Sequence, residues 1–74
     1  MSDRIVKTID HPGGRLRVDI FQRPNGTFGF EELEYGVEEQ AWYPVGRYSY
    51  AVIDTQDRAE SEARSRVTWL SSEG

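Results

Sequence analysis

The sequence predicts an α+β fold: a three- to four-stranded antiparallel meander sheet with one C-terminal helix packed on one face. Three observations carry this. Residues 15–23 alternate apolar and charged side chains with period two, the pattern of a half-buried strand. Arg23-Pro24-Asn25-Gly26-Thr27 has the composition of a hairpin turn. Ala59, Ala63, Val67 and Leu70 recur at helical spacing near the end of the chain.

A first short strand is expected near residues 4–9, with Ile5 and Ile9 on one side and Val6 on the other. His11-Pro12-Gly13-Gly14 ends it, because proline presets φ and glycine accepts φ > 0. The second strand, near 15–23, sets Leu16, Val18 and Ile20 against Arg15, Arg17 and Asp19. In the turn that follows, proline suits the first position, Asn the second and Gly the left-handed third. This three-residue hairpin pairs Arg23 with Thr27, Ile20 with Phe30 and Gln22 with Phe28 in a third strand near 27–35. Leu16, Val18, Ile20, Phe28 and Phe30 then share one face, and on the other Phe21 covers the bare backbone of Gly29. A two-residue Asn25-Gly26 turn would move Phe28 and Phe30 to the other face, pairing Arg17 favourably with Glu34 and Asp19 unfavourably with Glu32; the first register is preferred.

Residues 36–40 form a polar connection. Ala41-Trp42-Tyr43 reads as a short strand or an aromatic flap, and Trp42-Tyr43-Pro44 as a lid on the core or a recognition loop. A fourth strand is expected near 47–53, where Tyr48, Tyr50 and Val52 alternate with Ser49, Ala51 and Ile53. A helix near 55–70 opens at Asp54 or Thr55. Arg64 and Arg66 lie toward its negative end, Trp69 falls on the flank of its apolar stripe, and residues 71–74 fray.

Seventy-four residues make one domain, 1–74, without room for two cores. So short a chain buries only roughly 60–65 % of the surface its unfolded form exposes, and usually needs a staple. Cysteine is absent and there is a single histidine, which removes disulfides, thiolate metal sites and multi-histidine zinc sites. What is left is a very well-packed core or oligomerisation, so size alone points to a homodimer. Nine basic against thirteen acidic residues give a net charge of −4, which disfavours nonspecific binding to nucleic acid or anionic membrane. No apolar run approaches a signal peptide or a membrane span, and a cytoplasmic location is the expectation.

No catalytic signature is present: no phosphate-binding loop, no dinucleotide fingerprint and no nucleophile elbow. His11, before a proline in a Gly-rich turn, reads as an exposed turn residue. The acidic run Glu31, Glu32, Glu34, Glu38 and Glu39 lacks the spacing of a calcium loop and reads as a solvated edge. One helix cannot cover both sheet faces. The uncovered face carries Arg15, Arg17, Phe21, Arg23, Leu33 and Tyr35, and with Trp42 and Tyr43 these are the candidate interaction residues. Aromatic and Leu side chains among arginines suit a protein interface with a polar rim. The same set, as stacking rings beside guanidinium groups, suits single-stranded nucleic acid.

A hairpin turning at Asn25-Gly26, a later strand, and Asp54-Thr55 opening an Ala-striped helix resemble the layout of the small HicB-type antitoxin domains, over residues 16–30 and 47–70. The chain lacks the Pro-x-Leu-x-Gly stretch those domains carry between strands, and no residue role is carried over. The expectation is a small non-catalytic interaction or regulatory domain, without cofactor or metal, self-associating through the open sheet face or binding a protein partner. Single-stranded nucleic acid is the alternative, disfavoured by net charge, and no membrane role is expected.

Overall fold

The computed structural model describes residues 3–46 and 48–73. Strands β1 (Arg4–Asp10), β2 (Leu16–Gln22), β3 (Phe28–Gly36) and β4 (Ala41–Pro44) form one antiparallel sheet in the order β1-β2-β3-β4. A 3₁₀ turn, Tyr48–Tyr50, leads to α1 (Gln56–Arg66) and α2 (Thr68–Glu73). α1 lies against β2 and β3, so the fold is the α+β meander with its helical layer on one face.

The hairpin adopts the three-residue turn. The Arg23 N–H donates to the Thr27 carbonyl at 2.8 Å, the Gly26 N–H donates to the Arg23 carbonyl at 2.9 Å, and Gly26 sits at φ +90°. The Asn25 side-chain oxygen accepts from both the Thr27 N–H and its hydroxyl, fixing the turn from inside. Ile20 pairs with Phe30, Phe21 with Gly29 and Gln22 with Phe28, the register preferred from sequence.

β1 departs from its expected alternation. Its pairing with β2 shifts register between Ile5 and Lys7, a bulge that adds one residue and reverses which side chains face the helix. Val6 and Ile9 therefore pack against the core, while Ile5 turns to the opposite face and is 54 % exposed. Lys7 now points toward α1, where its ammonium donates to Glu60 at 2.9 Å.

The expected strand over 47–53 is not formed. Arg47 lies outside the described residues, and Tyr48–Tyr50 closes a 3₁₀ turn with the Ala51 N–H donating to the Tyr48 carbonyl. Among the described residues of this segment only Ile53 pairs with β3, exchanging two bonds with Phe28 at 2.7 and 2.9 Å. The turn brings the Tyr48 ring over Phe30, centroids 5.2 Å apart, and its hydroxyl toward the Arg66 carbonyl. Ring packing thus outweighs the β-propensity of this segment. The fourth strand is instead Ala41–Pro44, and the later strand on which the layout resemblance rested is gone.

Thr55 caps α1: in extended conformation, its hydroxyl accepts from the Arg58 N–H at 3.2 Å. The helix expected over 55–70 is broken at Val67, which turns extended while its N–H still bonds the Ala63 carbonyl. Ser65, Val67 and Thr68 are indifferent helix formers, so a break here costs little. α2 then takes up the segment expected to fray, as far as Glu73. Val18, Ile20 and Phe30 from the sheet meet Ala59, Ala63, Val67 and Leu70 in a fully buried core. The two alanines let α1 sit close on the strands. Trp69, on the flank, is half-buried and donates its indole N–H to Glu32 at 3.2 Å.

Candidate interaction face

The face turned away from the helices is read off the strand register. Ile5, Phe21 and Gly29 form one row across β1, β2 and β3. Thr8, Asp19 and Glu31 form the next, followed by Asp10, Arg17, Leu33 and Pro44. Tyr35 and Trp42 close the far end. Among the described residues no helix or strand lies over this face, which nevertheless holds Ile5, Phe21, Leu33, Tyr35, Trp42 and Pro44. A solvent-facing side of an antiparallel sheet is ordinarily polar.

Its side chains cover one another. Phe21 lies over Gly29, so closely that a Cβ there would stand 2.7 Å from the ring tip. The Arg23 guanidinium lies 5.0 Å from the Phe21 centroid and caps it from the hairpin end. Phe21 and Leu33 are left only 7 % and 8 % exposed. At the other end the Arg17 guanidinium sits 4.4 Å from the Trp42 centroid, and Trp42 meets Tyr35 edge-on at 5.4 Å. Arg17 also reaches Asp19 at 3.6 Å, while its Nε is buried with no hydrogen-bond partner.

Asp19 is 6 % exposed and directly opposite Glu31, a repulsive placement. The Thr8 hydroxyl donates to it at 2.9 Å, and Arg17 offsets its charge. Asp19 belongs to the face by its alternation with Arg17 and Phe21 in β2, and Thr8 and Ile5 through the β1 register. Sequence reading missed Thr8 and Ile5 because nothing in seven residues of β1 marks where the bulge falls.

Of the eight expected residues, Arg17, Phe21, Leu33, Tyr35 and Trp42 come together on this face. Arg15 lies exposed at its margin, its carbonyl accepting from the Tyr35 N–H. Arg23 is drawn inward: its guanidinium donates to the Phe28 and Ala51 carbonyls at 3.0 Å each, tying the hairpin to the segment before α1. Trp42-Tyr43-Pro44 is neither lid nor loop but strand β4, so Trp42 and Tyr43 point to opposite faces. Tyr43 lies beside Glu34 on the helix side, and that carboxylate, with some burial and Glu39, pushes its hydroxyl above the ordinary tyrosine pKa.

The remaining candidates have structural surroundings. His11 Nδ1 accepts from the Gly13 N–H at 2.9 Å, and its ring meets Trp69 edge-on at 5.1 Å. Among the described residues no group of three His, Cys, Asp or Glu stands close enough to hold a metal ion. Nor, among the described residues, is any helix long and apolar enough to cross a membrane. Comparison with protein-family models, with curated proteins and with solved structures gives no match.

Proposed function

We propose that this chain is a small non-catalytic interaction domain that self-associates through the sheet face opposite its helices. One observation carries the reading: six apolar or aromatic residues, of which Ile5, Tyr35, Trp42 and Pro44 remain at least partly accessible, occupy a face over which no helix or strand lies among the described residues. The edges of the sheet support face-to-face contact over edge-to-edge pairing. β1 carries a bulge, and β4 is four residues long and ends in a proline that cannot donate. A two-fold contact would place the patch on itself. Its content favours that, since Arg17, Trp42 and Tyr35 are the residue types on which interfaces concentrate their energy.

Nucleic acid draws less support from the same geometry. The Arg23 guanidinium is spent on two backbone carbonyls and Arg17 is laid over Trp42 beside Asp19.

Sedimentation at micromolar concentration tests the reading. A concentration-dependent dimer is expected, and Ile5→Lys should weaken it by tenfold or more while leaving the circular dichroism of the monomer unchanged. Ile5 is the suitable probe because it is exposed in the isolated chain, whereas Phe21 is not. A parent protein that stays monomeric at hundreds of micromolar would rule the reading out.

A further inference from the structure

A second surface, on the helical side of the molecule, carries a pattern independent of the sheet face. Asp54, Arg58, Glu62 and Arg66 follow one another at intervals of four residues, starting two residues before α1. Positions four apart form a ridge inclined by about 26° to a helix axis. Their charges alternate: acid, base, acid, base. Within the chain they close two exposed ion pairs, Arg58 with Asp54 at 3.7 Å and Arg66 with Glu62 at 2.9 Å. The same four side chains wall a groove of about 420 Å³, whose other side is the segment Ala51–Ile53. Val52 on that segment is 73 % exposed, and Tyr50 just before it is 79 % exposed, the two most exposed large apolar residues described.

We propose that this groove is a docking surface for a second copy of the chain, packed antiparallel across a two-fold axis between Arg58 and Glu62. Charge complementarity names the occupant. An alternating run of even length is the complement of its own reverse. In that arrangement Asp54 meets the partner's Arg66, Arg58 meets the partner's Glu62, and both contacts repeat by symmetry. Every rung is attractive, and the two ion pairs within each chain extend into a network. A uniformly charged partner, whether an acidic peptide or a nucleic acid, would be repelled at two of the four rungs. Ridges of this kind on two helices meet at about −50°, the commonest crossing in globular proteins. Val52 and Tyr50 beside the groove supply apolar area that the ladder lacks.

The test uses two full-length variants. Arg58→Glu with Arg66→Glu makes the ladder wholly acidic, and Asp54→Lys with Glu62→Lys makes it wholly basic. The glutamate variant has a net charge of −8 and the lysine variant 0, so bulk repulsion alone disfavours the glutamate homodimer and shifts mixing. A control pair of the same net charges with the ladder intact, Arg4→Glu with Arg64→Glu and Glu38→Lys with Glu39→Lys, sets that baseline. Far-UV circular dichroism first confirms that each variant keeps its helix. Native mass spectrometry of an equimolar mixture should then show mixed dimers well above the control pair, with the excess lost at high salt. Association through the sheet face alone gives the mixing of the control pair, because that face is the same in all four variants. Mixing no greater than that of the control pair overturns the proposal and leaves the sheet-face reading standing.

Discussion

At the scale of single residues, the outer face depends on one small side chain. Phe21 lies flat because its neighbour across the strand has no Cβ. A methyl at Gly29 would stand 2.7 Å from Phe21 Cζ and 2.9 Å from the Arg23 guanidinium. Either the ring lifts or Arg23 leaves the carbonyls it bridges. Gly29→Ala is therefore expected to destabilise the chain by about 1–3 kcal/mol, the usual range for overpacking, although alanine is otherwise the better strand residue. Urea denaturation measures this directly, and an unchanged midpoint would mean that Phe21 does not need the glycine. That cross-strand pair was legible in the sequence, because the turn fixed the register and the register fixed the pair. The burial of Phe21 and Leu33 was not. It depends on where the long arms of Arg17 and Arg23 lie, and alternation of apolar and charged residues does not encode that.

At the scale of elements, legibility followed how many independent signals agreed. For the hairpin, turn chemistry and strand alternation gave the same answer. For the helix, the Thr55 cap and the alanine stripe did. β1 offered only two isoleucines and a valine, so a one-residue bulge was enough to reverse them. Residues 48–53 had strand-like composition, but the Tyr48 ring gained more by stacking on Phe30. The bulge also creates the link between β1 and α1. Hydrogen bonds from Lys7 and from Arg64 hold the Glu60 carboxyl below the usual carboxylate range. A carboxyl whose pKa falls on folding adds stability in full above its unfolded pKa and loses it as pH drops through the folded one. Lys7→Met should therefore lower stability at neutral pH, and the gap from the parent should narrow in acid, as pH falls through the lowered carboxyl pKa and Glu60 protonates in both. Urea midpoints at neutral and at acid pH decide it. An equal gap at both would assign the effect of Lys7 to packing of its aliphatic stem.

At the scale of the whole molecule, thickness is the informative dimension. The Cα trace spans 35 × 31 × 18 Å, and 18 Å is the depth of one sheet and one helical layer. A chain of this size leaves little margin between burial and chain entropy. The accessible part of the outer face, Ile5, Tyr35, Trp42 and Pro44, is where a second copy would add burial. Because association stabilises only the folded state, it ties stability to concentration. For a dimer that unfolds to two chains, each tenfold rise in concentration adds half of about 1.4 kcal/mol per chain. In a domain of this length that raises the thermal midpoint by roughly 3–5 °C. The parent chain should show this slope from micromolar to hundreds of micromolar, and Ile5→Lys should remove the part due to the sheet face. Any slope that survives Ile5→Lys and disappears in high salt belongs to the charge ladder on α1, since exposed ion pairs are screened and apolar contacts are not. A midpoint constant over the whole range would make both surfaces ordinary solvent faces and would place the stability of the fold in the seven-residue core alone.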